Sequence, residues 1–493
     1  MKRYSVLVPM ILLGIILSGL SESCGATLKV GAAVCDLTPP EPVALDGQMH
    51  TRISTSAATP ILANVIAFEG ENDKGVKSAC IMVSLDLVGI RPELESAIRA
   101  EVVKAIPGFD PHQLILSATH THTAPVADVN KYYIAPNVKC MRPNEFCQFA
   151  GRKLAPVLAA AWKERQEVRY SYGLADAYVA QSRRPVYIGG KAIMYGKTSR
   201  PDFRRLEATE DHDVNSMFFW NTKDKLVAMI VNVSCPSQVV EGLSVLHADY
   251  WHFVRQQLYK RYGKDIPVVS LCGAAGDMCP RPIFRHSADA RMNQLRGLSL
   301  AEAVGQRVAN AVEGTFDTVQ LDKTANIPFV HQYDIIKLPQ YRITESEYKR
   351  TKAEADSLRE VIKKDPNQHR LYYWANVIVQ RYEAQQKDPN ASFDVPIHIL
   401  RIGNTAFCTN PFELFTSYGT QMKARSKAMQ TFVVQLTDGC GICGTSSSAG
   451  YLPTAEAYKG GGYSAIVKSI TVGPDGGQKL VEDSLQRINA MFK

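Results

Sequence analysis

Apolar, β-prone runs alternate along the chain with polar loops and stretches of helical spacing. Ala79–Val88 (ACIMVSLDLV) predicts a buried strand, Arg91–Ala105 a helix entered at Pro92, and Gln113–Ser117 (QLILS) another strand. That strand runs directly into Ala118-Thr119-His120-Thr121-His122-Thr123-Ala124-Pro125. The pattern returns at Leu226–Val233 (LVAMIVNV), followed by Ser234-Cys235-Pro236-Ser237-Gln238 and a helix over Asp249–Tyr262. A strand over Ile266–Leu271 then ends in Cys272-Gly273-Ala274-Ala275-Gly276-Asp277, a turn of close backbone approach. A third round has strands over Ile397–Ile402 and Ala406–Thr409, a helix opened by Asn410-Pro411-Phe412-Glu413 and reaching Arg425, and a strand over Thr431–Leu436. Rounds of this kind predict an α/β fold, with a mixed, largely parallel sheet core and helices on its faces, in a single large domain. Residues 343–388, charged and flanked by Pro339 and Pro389, read as an inserted helical pair without obvious chemistry, and 478–492 as a terminal amphipathic helix.

Composition narrows the class. Of 493 residues 45% are hydrophobic and 21% charged, which is globular usage. The net charge of +8 comes from 56 basic and 48 acidic residues without a basic run. With neither zinc-finger spacing nor an RRM-like aromatic motif, nucleic acid is not an expected partner. Lys2 and Arg3, the apolar Val6–Leu20 run and Cys24-Gly25-Ala26 predict a secretory signal peptide over residues 1–26, its apolar part shorter than the ~20 residues of a membrane span. The alternative at this end is a lipoprotein signal acylated at Cys24. The expectation is a secreted or periplasmic protein with no transmembrane segment in the mature chain. Export would leave ten of the eleven cysteines in an oxidising compartment, with Cys140–Cys147 and Cys440–Cys443 as local disulfide candidates.

Ligands in open α/β sheets bind beyond the carboxyl ends of strands. His120, Cys235, Gly276, Asp277 and Glu413 all follow predicted strands. His120 and His122 are two residues apart, so on extended backbone both imidazoles face one side and share a metal ion or a substrate. With Glu413 and one of Cys235, His247 or Asp249 they supply zinc-type ligands. Cys235 also reads as a buried or disulfide-bonded cysteine, Asp249 as a helix cap, and Glu413 as a carboxylate at a helix N-terminus. Tyr451, Tyr458 and Tyr463 surround the glycine-rich Lys459–Gly462 segment and suit ligand contact. No Gly-x-Ser-x-Gly elbow occurs, which disfavours a serine hydrolase of that type. Residue chemistry alone points to an exported metallohydrolase.

Several of these segments together resemble the neutral ceramidase family. Val30-Gly31-Ala32-Ala33 with Asp36-Leu37-Thr38-Pro39 resembles its opening G-x-A-x-x-D-I-T-P, and Ser117 to Pro125 its S-A-T-H-T-H-S-x-P. Gly273 to Pro280 resembles S-N-x-G-D-x-S-P, and Val395 to Gly403 with Pro411-Phe412-Glu413 resembles V-P-x-Q-I-L-R-I-G leading to P-G-E. The spacing of Tyr451, Tyr458 and Tyr463 matches as well. The resemblance runs from residue 28 to the C-terminus and is to the catalytic domain alone, without the family's C-terminal immunoglobulin-like domain. It implies a catalytic domain over 27–493 that hydrolyses an N-acylsphingosine-like amide with Zn2+ as cofactor, hence a role in sphingolipid metabolism. His120, Glu413 and Tyr451 would be zinc ligands, and His122, Arg183 and Tyr463 would face the substrate. Cys235 stands fourteen residues before Asp249, where the family has its second zinc histidine, so Cys235 is the fourth expected ligand and His247 its substitute. Gly273 stands where the family has a serine sometimes given a catalytic role. The alternatives are the same zinc site acting on an ester, amide or glycosidic linkage of a glycan, and a non-catalytic ligand-binding homologue.

Overall fold

In the computed structural model, which describes residues 26–264, 266–440 and 449–492, the apolar runs form two main sheets. The larger has eight strands: β1 (Leu28–Asp36), β2 (Leu62–Glu71), β3 (Lys77–Leu85), β4 (Leu114–Ala118), β5 (Gln166–Asp176), β6 (Asp213–Asn221), β7 (Leu226–Val233) and β8 (Val268–Cys272). Their spatial order is β8-β7-β6-β5-β1-β2-β3-β4. The sheet is mixed, as expected, but its balance is antiparallel rather than largely parallel. Only β3–β4 and β7–β8 run parallel, and the five pairings between them are antiparallel. Connection length explains this correction. Tight turns join β2 to β3 and β6 to β7, whereas helices α1 (Pro92–Ala105) and α3 (Asp249–Tyr262) supply the crossovers that the two parallel pairs need.

Strands covered on both faces read as continuous apolar runs. In β3, Ile81, Val83 and Leu85 pack with α1 and α2 (Pro143–Lys163), while Cys80 and Met82 face the other way. In β7, Met229, Val231 and Val233 pack with α3 and α4 (Leu300–Val319), while Ala228 and Ile230 face the other way. The opposite-facing cluster also takes Phe329, Leu400, Phe407 and Phe432 from the second sheet. That sheet comprises β9 (Phe329–Pro339), β10 (Ser392–Ile402), β11 (Thr405–Thr409) and β12 (Gln430–Val434). Burying each such side chain contributes ~1.5–3 kcal/mol, so the shared cluster joins both sheets into one unit. The expected helical pair is present between β9 and β10 as α5 (Glu345–Ile362) and α6 (His369–Lys387). Helices α7 (Thr416–Arg425) and α8 (Pro474–Ala490) cover the outer face of the second sheet.

The large sheet folds back on itself, so that its edge strand β8 lies against β2 and β3. Val268 N–H donates to Asn64 Oδ1 at 3.2 Å, and the Ser84 hydroxyl donates to the Ser270 carbonyl. The loops after β4 and β7, far apart in strand order, therefore touch: the Ser237 hydroxyl donates to the Thr119 carbonyl at 2.7 Å.

All nine described cysteines are free thiols. The expected Cys140–Cys147 bridge is absent because Cys147 faces the core from α2, its thiol donating to the Ala127 carbonyl at 3.6 Å. Cys443 of the other expected pair, and residues 1–25 of the expected signal peptide, lie outside the described residues. Among the described residues no helix is long and apolar enough to cross a membrane.

The second sheet carries an enclosed imidazole chain. His331 Nε2 lies 2.9 Å from His398 Nδ1, and His398 Nε2 lies 2.6 Å from Asp438 Oδ2. Burial, reinforced by His398, brings His331 down to about 3. Unfolded His331 takes up a proton near pH ~6.5, whereas the folded form stays neutral, so stability falls as pH drops through this window. Denaturant titrations at about pH 7 and about pH 5 should differ by up to ~2 kcal/mol from this group, and the difference should shrink by that amount in His331→Leu.

Candidate active site

The loop after β4 is stitched to the loop after β3. Thr119 N–H donates to the Leu85 carbonyl and Thr121 N–H to the Leu87 carbonyl, both at 2.9 Å. Between them His120 has φ of +67°, a left-handed conformation that costs a non-glycine residue ~1–3 kcal/mol and persists where neighbours hold it. The backbone here is thus not extended, as the two-residue spacing suggested, yet the imidazoles still converge: His120 Nε2 and His122 Nε2 are 3.3 Å apart. His120 Nδ1 lies 2.7 Å from the Val88 carbonyl. A carbonyl only accepts, which assigns a proton to Nδ1 and turns Nε2 toward Glu413 and the pocket.

Glu413 does not open a helix. It lies on a two-residue strand, Glu413–Leu414, paired in parallel with Tyr451–Leu452, and α7 begins only at Thr416. Its Oε2 is 3.3 Å from His120 Nε2. Burial alone would raise its carboxyl, but His120, Arg183 and Tyr451 outweigh burial and bring it down to about 2. Burial pushes the Tyr451 phenol well above its usual range; Arg183 opposes that shift and Glu413 adds to it. The Arg183 guanidinium sits 5.3 Å from the Tyr451 ring centre and donates to the Gly276 carbonyl at 2.8 Å. The Tyr463 ring is 5.7 Å from that of Tyr451, in an edge-on arrangement.

The close approach expected at Gly276 is directed at this strand. A Cβ there would stand 2.3 Å from the Glu413 carbonyl oxygen. Gly276→Ala should therefore displace Glu413, lowering stability by ~1–3 kcal/mol and activity with it. Thermal unfolding and steady-state kinetics on the same preparation check both effects.

His122 has a neighbour at each ring nitrogen that the sequence did not single out. Gln238 Nε2 lies 2.9 Å from His122 Nε2, and Glu241 Oε2 lies 3.2 Å from His122 Nδ1. Glu241 is in turn paired with Arg281 at 2.7 Å. Burial lowers the His122 pKa despite the pull of Glu241, so the ring is neutral near pH ~7. Gln238 and Glu241 share no spacing rule with the histidines, and only the meeting of two loops reveals them.

Cys235 is not brought to this group. It belongs to the apolar cluster under α3, with its thiol donating to the Val179 carbonyl at 3.5 Å. Burial pushes that thiol well above its usual range, which keeps it protonated. The expectation that Cys235 joins His120 and Glu413 is corrected on these grounds. His247 packs its ring near His252 and Phe253. Asp249 accepts the N–H groups of Val240 and Tyr250 at 2.9 and 2.8 Å. Tyr458 pairs with Tyr341 instead of facing the site.

Above His120, His122, Glu413, Tyr451 and Tyr463 lies a pocket of about 150 Å³. Its opposite wall is α6, through Arg370, Tyr373, Trp374, Val377, Ile378 and Arg381. Those positions fall at i, i+3, i+4, i+7, i+8 and i+11, one face of a helix. The helical pair expected to carry no chemistry therefore walls the site. The overlooked signal is the placing of two arginines on a stripe otherwise apolar and aromatic.

The crystal structure of neutral ceramidase from Pseudomonas aeruginosa superposes with a TM-score of 0.67, covering 94% of this chain and 74% of that one at 13% identity. The chain has the neutral ceramidase fold. A structure of ceramidase complexed with C2 superposes with a TM-score of 0.64, covering 94% of this chain and 75% of that one, also at 13% identity. No family model matches the sequence, and no curated protein aligns with it.

On this ceramidase fold, His120 Nε2 and Glu413 Oε2 are two acceptors at 3.3 Å, a pair that repels unless a cation or proton lies between them. With the Tyr451 phenol beside Glu413, they form a mixed N/O donor set whose chemistry suits zinc. Among the described residues no group of three or more His, Cys, Asp and Glu side chains is arranged to hold a metal. A phenol, and not Cys235, would have to complete the set.

Proposed function

We propose that this chain is a zinc-dependent hydrolase cleaving an acyl amide, with 27–493 as its catalytic unit and 1–26 as an export leader. The observation that carries the reading is the convergence of His120 Nε2 with both His122 Nε2 and Glu413 Oε2, each at 3.3 Å, beneath a pocket in a ceramidase fold. His120, Glu413 and Tyr451 would hold zinc, which supplies Lewis acidity toward the amide carbonyl and toward water. Val88 fixes the tautomer of His120, and Arg183 steadies Tyr451 and Glu413 from below. His122 is the neutral base: with the Gln238 amide displaced from Nε2 by substrate, it takes a proton there from the attacking water and returns it to the leaving nitrogen, while Glu241 stabilises the imidazolium formed between the two transfers. Tyr463, a neutral phenol next to Tyr451, donates to the carbonyl oxygen as charge develops there. Ceramidase is the activity named for the structural neighbours, so N-acylsphingosine is the first substrate to try.

A pocket of about 150 Å³ is small, below the ~300–1,000 Å³ of sites that enclose a drug-sized ligand. That observation favours a compact polar acyl amide, acylated sugars included, as the second reading. The experiment is zinc analysis of the purified protein, with hydrolysis assays on N-acylsphingosines and N-acylated amino sugars before and after chelation. The expected result is about one zinc per chain and hydrolysis that stops on chelation and returns with zinc. Ligand binding without turnover, unchanged by the chelator, would favour a binding homologue.

A further inference from the structure

The pocket is more positive than its surroundings answer. Arg91, Lys131, Arg370, Arg381 and Lys468 line it, against the carboxylates of Asp128 and Glu413. Behind the wall, Asp46 pairs with Lys131 and lies 3.9 Å from Arg91, and Glu354 pairs with Lys468 at 2.8 Å. Arg370 and Arg381 make no ion pair among the described residues, and the Nε of each is buried without a hydrogen-bond partner. Arg381 donates instead to the Ile470 and Thr471 carbonyls at 2.7 and 3.2 Å. Arg370 stands 6.0 Å from the Trp374 ring centre, with Lys468 4.6 Å from the same ring and the Tyr463 ring 5.7 Å away. The unanswered guanidinium thus adjoins an aromatic wall continuous with the proposed reaction centre.

Arg370 is half-buried, and a partly desolvated guanidinium with no counter-charge in reach is left incompletely satisfied. A wall that places one beside a pocket is suited to a ligand that brings the missing charge, and a planar five-donor fork matches carboxylate, phosphate or sulfate. Resting on the hydrolase reading above, we propose that the substrate is an acyl amide bearing an anionic group, bound by Arg370 with Arg381 and Lys468 adding to the field around it. An N-acylsphingosine carries no such charge, so this assigns the site a different substrate class from the one in its neighbours' name.

The test uses short probes that share the N-hexanoyl amide and differ in the head group: N-hexanoylethanolamine as the neutral member, its phosphate and sulfate esters, and N-hexanoylglycine. At least one anionic probe should show a kcat/KM at least about tenfold above the neutral one, mainly through KM, with an advantage that shrinks as salt is added. Arg370→Gln should abolish that ratio, and Arg370→Lys should restore part of it. Which probe leads identifies the source of the charge. Equal or better turnover of the neutral probe overturns the proposal and leaves the hydrolase reading standing, as does a ratio that survives in Arg370→Gln. If no probe is turned over, calorimetric titration separates the two claims. Anionic probes binding at least about tenfold more tightly than the neutral one, with the difference lost in Arg370→Gln, uphold the charge assignment while the hydrolase reading falls. Equal binding overturns it. Melting curves of the two Arg370 variants establish that they are folded; should Arg370→Gln not fold, Arg370→Lys alone must show a reduced ratio, and an unchanged one overturns the proposal.

Discussion

Glu413→Gln should lower kcat/KM for an acyl amide by ~10³-fold, the upper range for removing one preorganised electrostatic group at a reaction centre. The amide keeps the shape of the side chain and removes its charge. That charge faces His120 Nε2 at 3.3 Å and is held ionised, down to about 2, by His120, Arg183 and Tyr451 against the cost of burial. The fold should tolerate the change, because the local strand is kept by backbone bonds such as Glu413 N–H to the Gly450 carbonyl at 3.0 Å. His120→Ala should match it in rate, and both variants should lose zinc. Steady-state kinetics, metal content and a melting curve on each variant check this. Full zinc occupancy in both would remove His120 and Glu413 from the ligand set.

Arg255→Leu should cost ~3–5 kcal/mol of stability. Arg255 on α3 donates to both oxygens of Asp86 at 2.8 Å, and the two side chains are 2% and 1% exposed. Asp86 also accepts Leu62 N–H at 3.0 Å and the Thr119 hydroxyl at 3.3 Å. Removing the guanidinium leaves a buried carboxyl without its bidentate partner. Because Asp86 touches Thr119, whose N–H helps hold His120 in its left-handed turn, activity should fall with stability. Removing both charges, in Arg255→Leu with Asp86→Leu, should recover part of the loss. Denaturant titration measures all three; a single-variant cost below ~1 kcal/mol would mean that this pair behaves like a surface pair.

Where the chain is apolar on both faces the sequence was readable. Leu226–Val233 and Asp249–Tyr262 coincide as predicted and observed elements, because continuous burial and helical spacing leave little ambiguity. The antiparallel balance has a local signal as well. Asn72 Oδ1 accepts the N–H groups of Lys74 and Val76, and Asn221 Oδ1 those of Lys223 and Lys225, which are the asparagine turns of two hairpins. The strand at Glu413 is two residues long, too short for any alternation to register, so Pro411 suggested a helix instead. Cys235 shows the limit of counting along a chain: spacing placed it near the site, but direction decides, and its thiol points at Val179. Arg370 and Trp374 were hidden for another reason. A helix shows its own stripe, but not which pocket the stripe will wall.

The most direct measurement is an anomalous difference map at the zinc edge from crystals of the full chain grown with zinc. The account predicts one peak at ~2.0–2.2 Å from His120 Nε2, a Glu413 carboxylate oxygen and the Tyr451 oxygen. Peaks only elsewhere, or none between those three atoms, would contradict it.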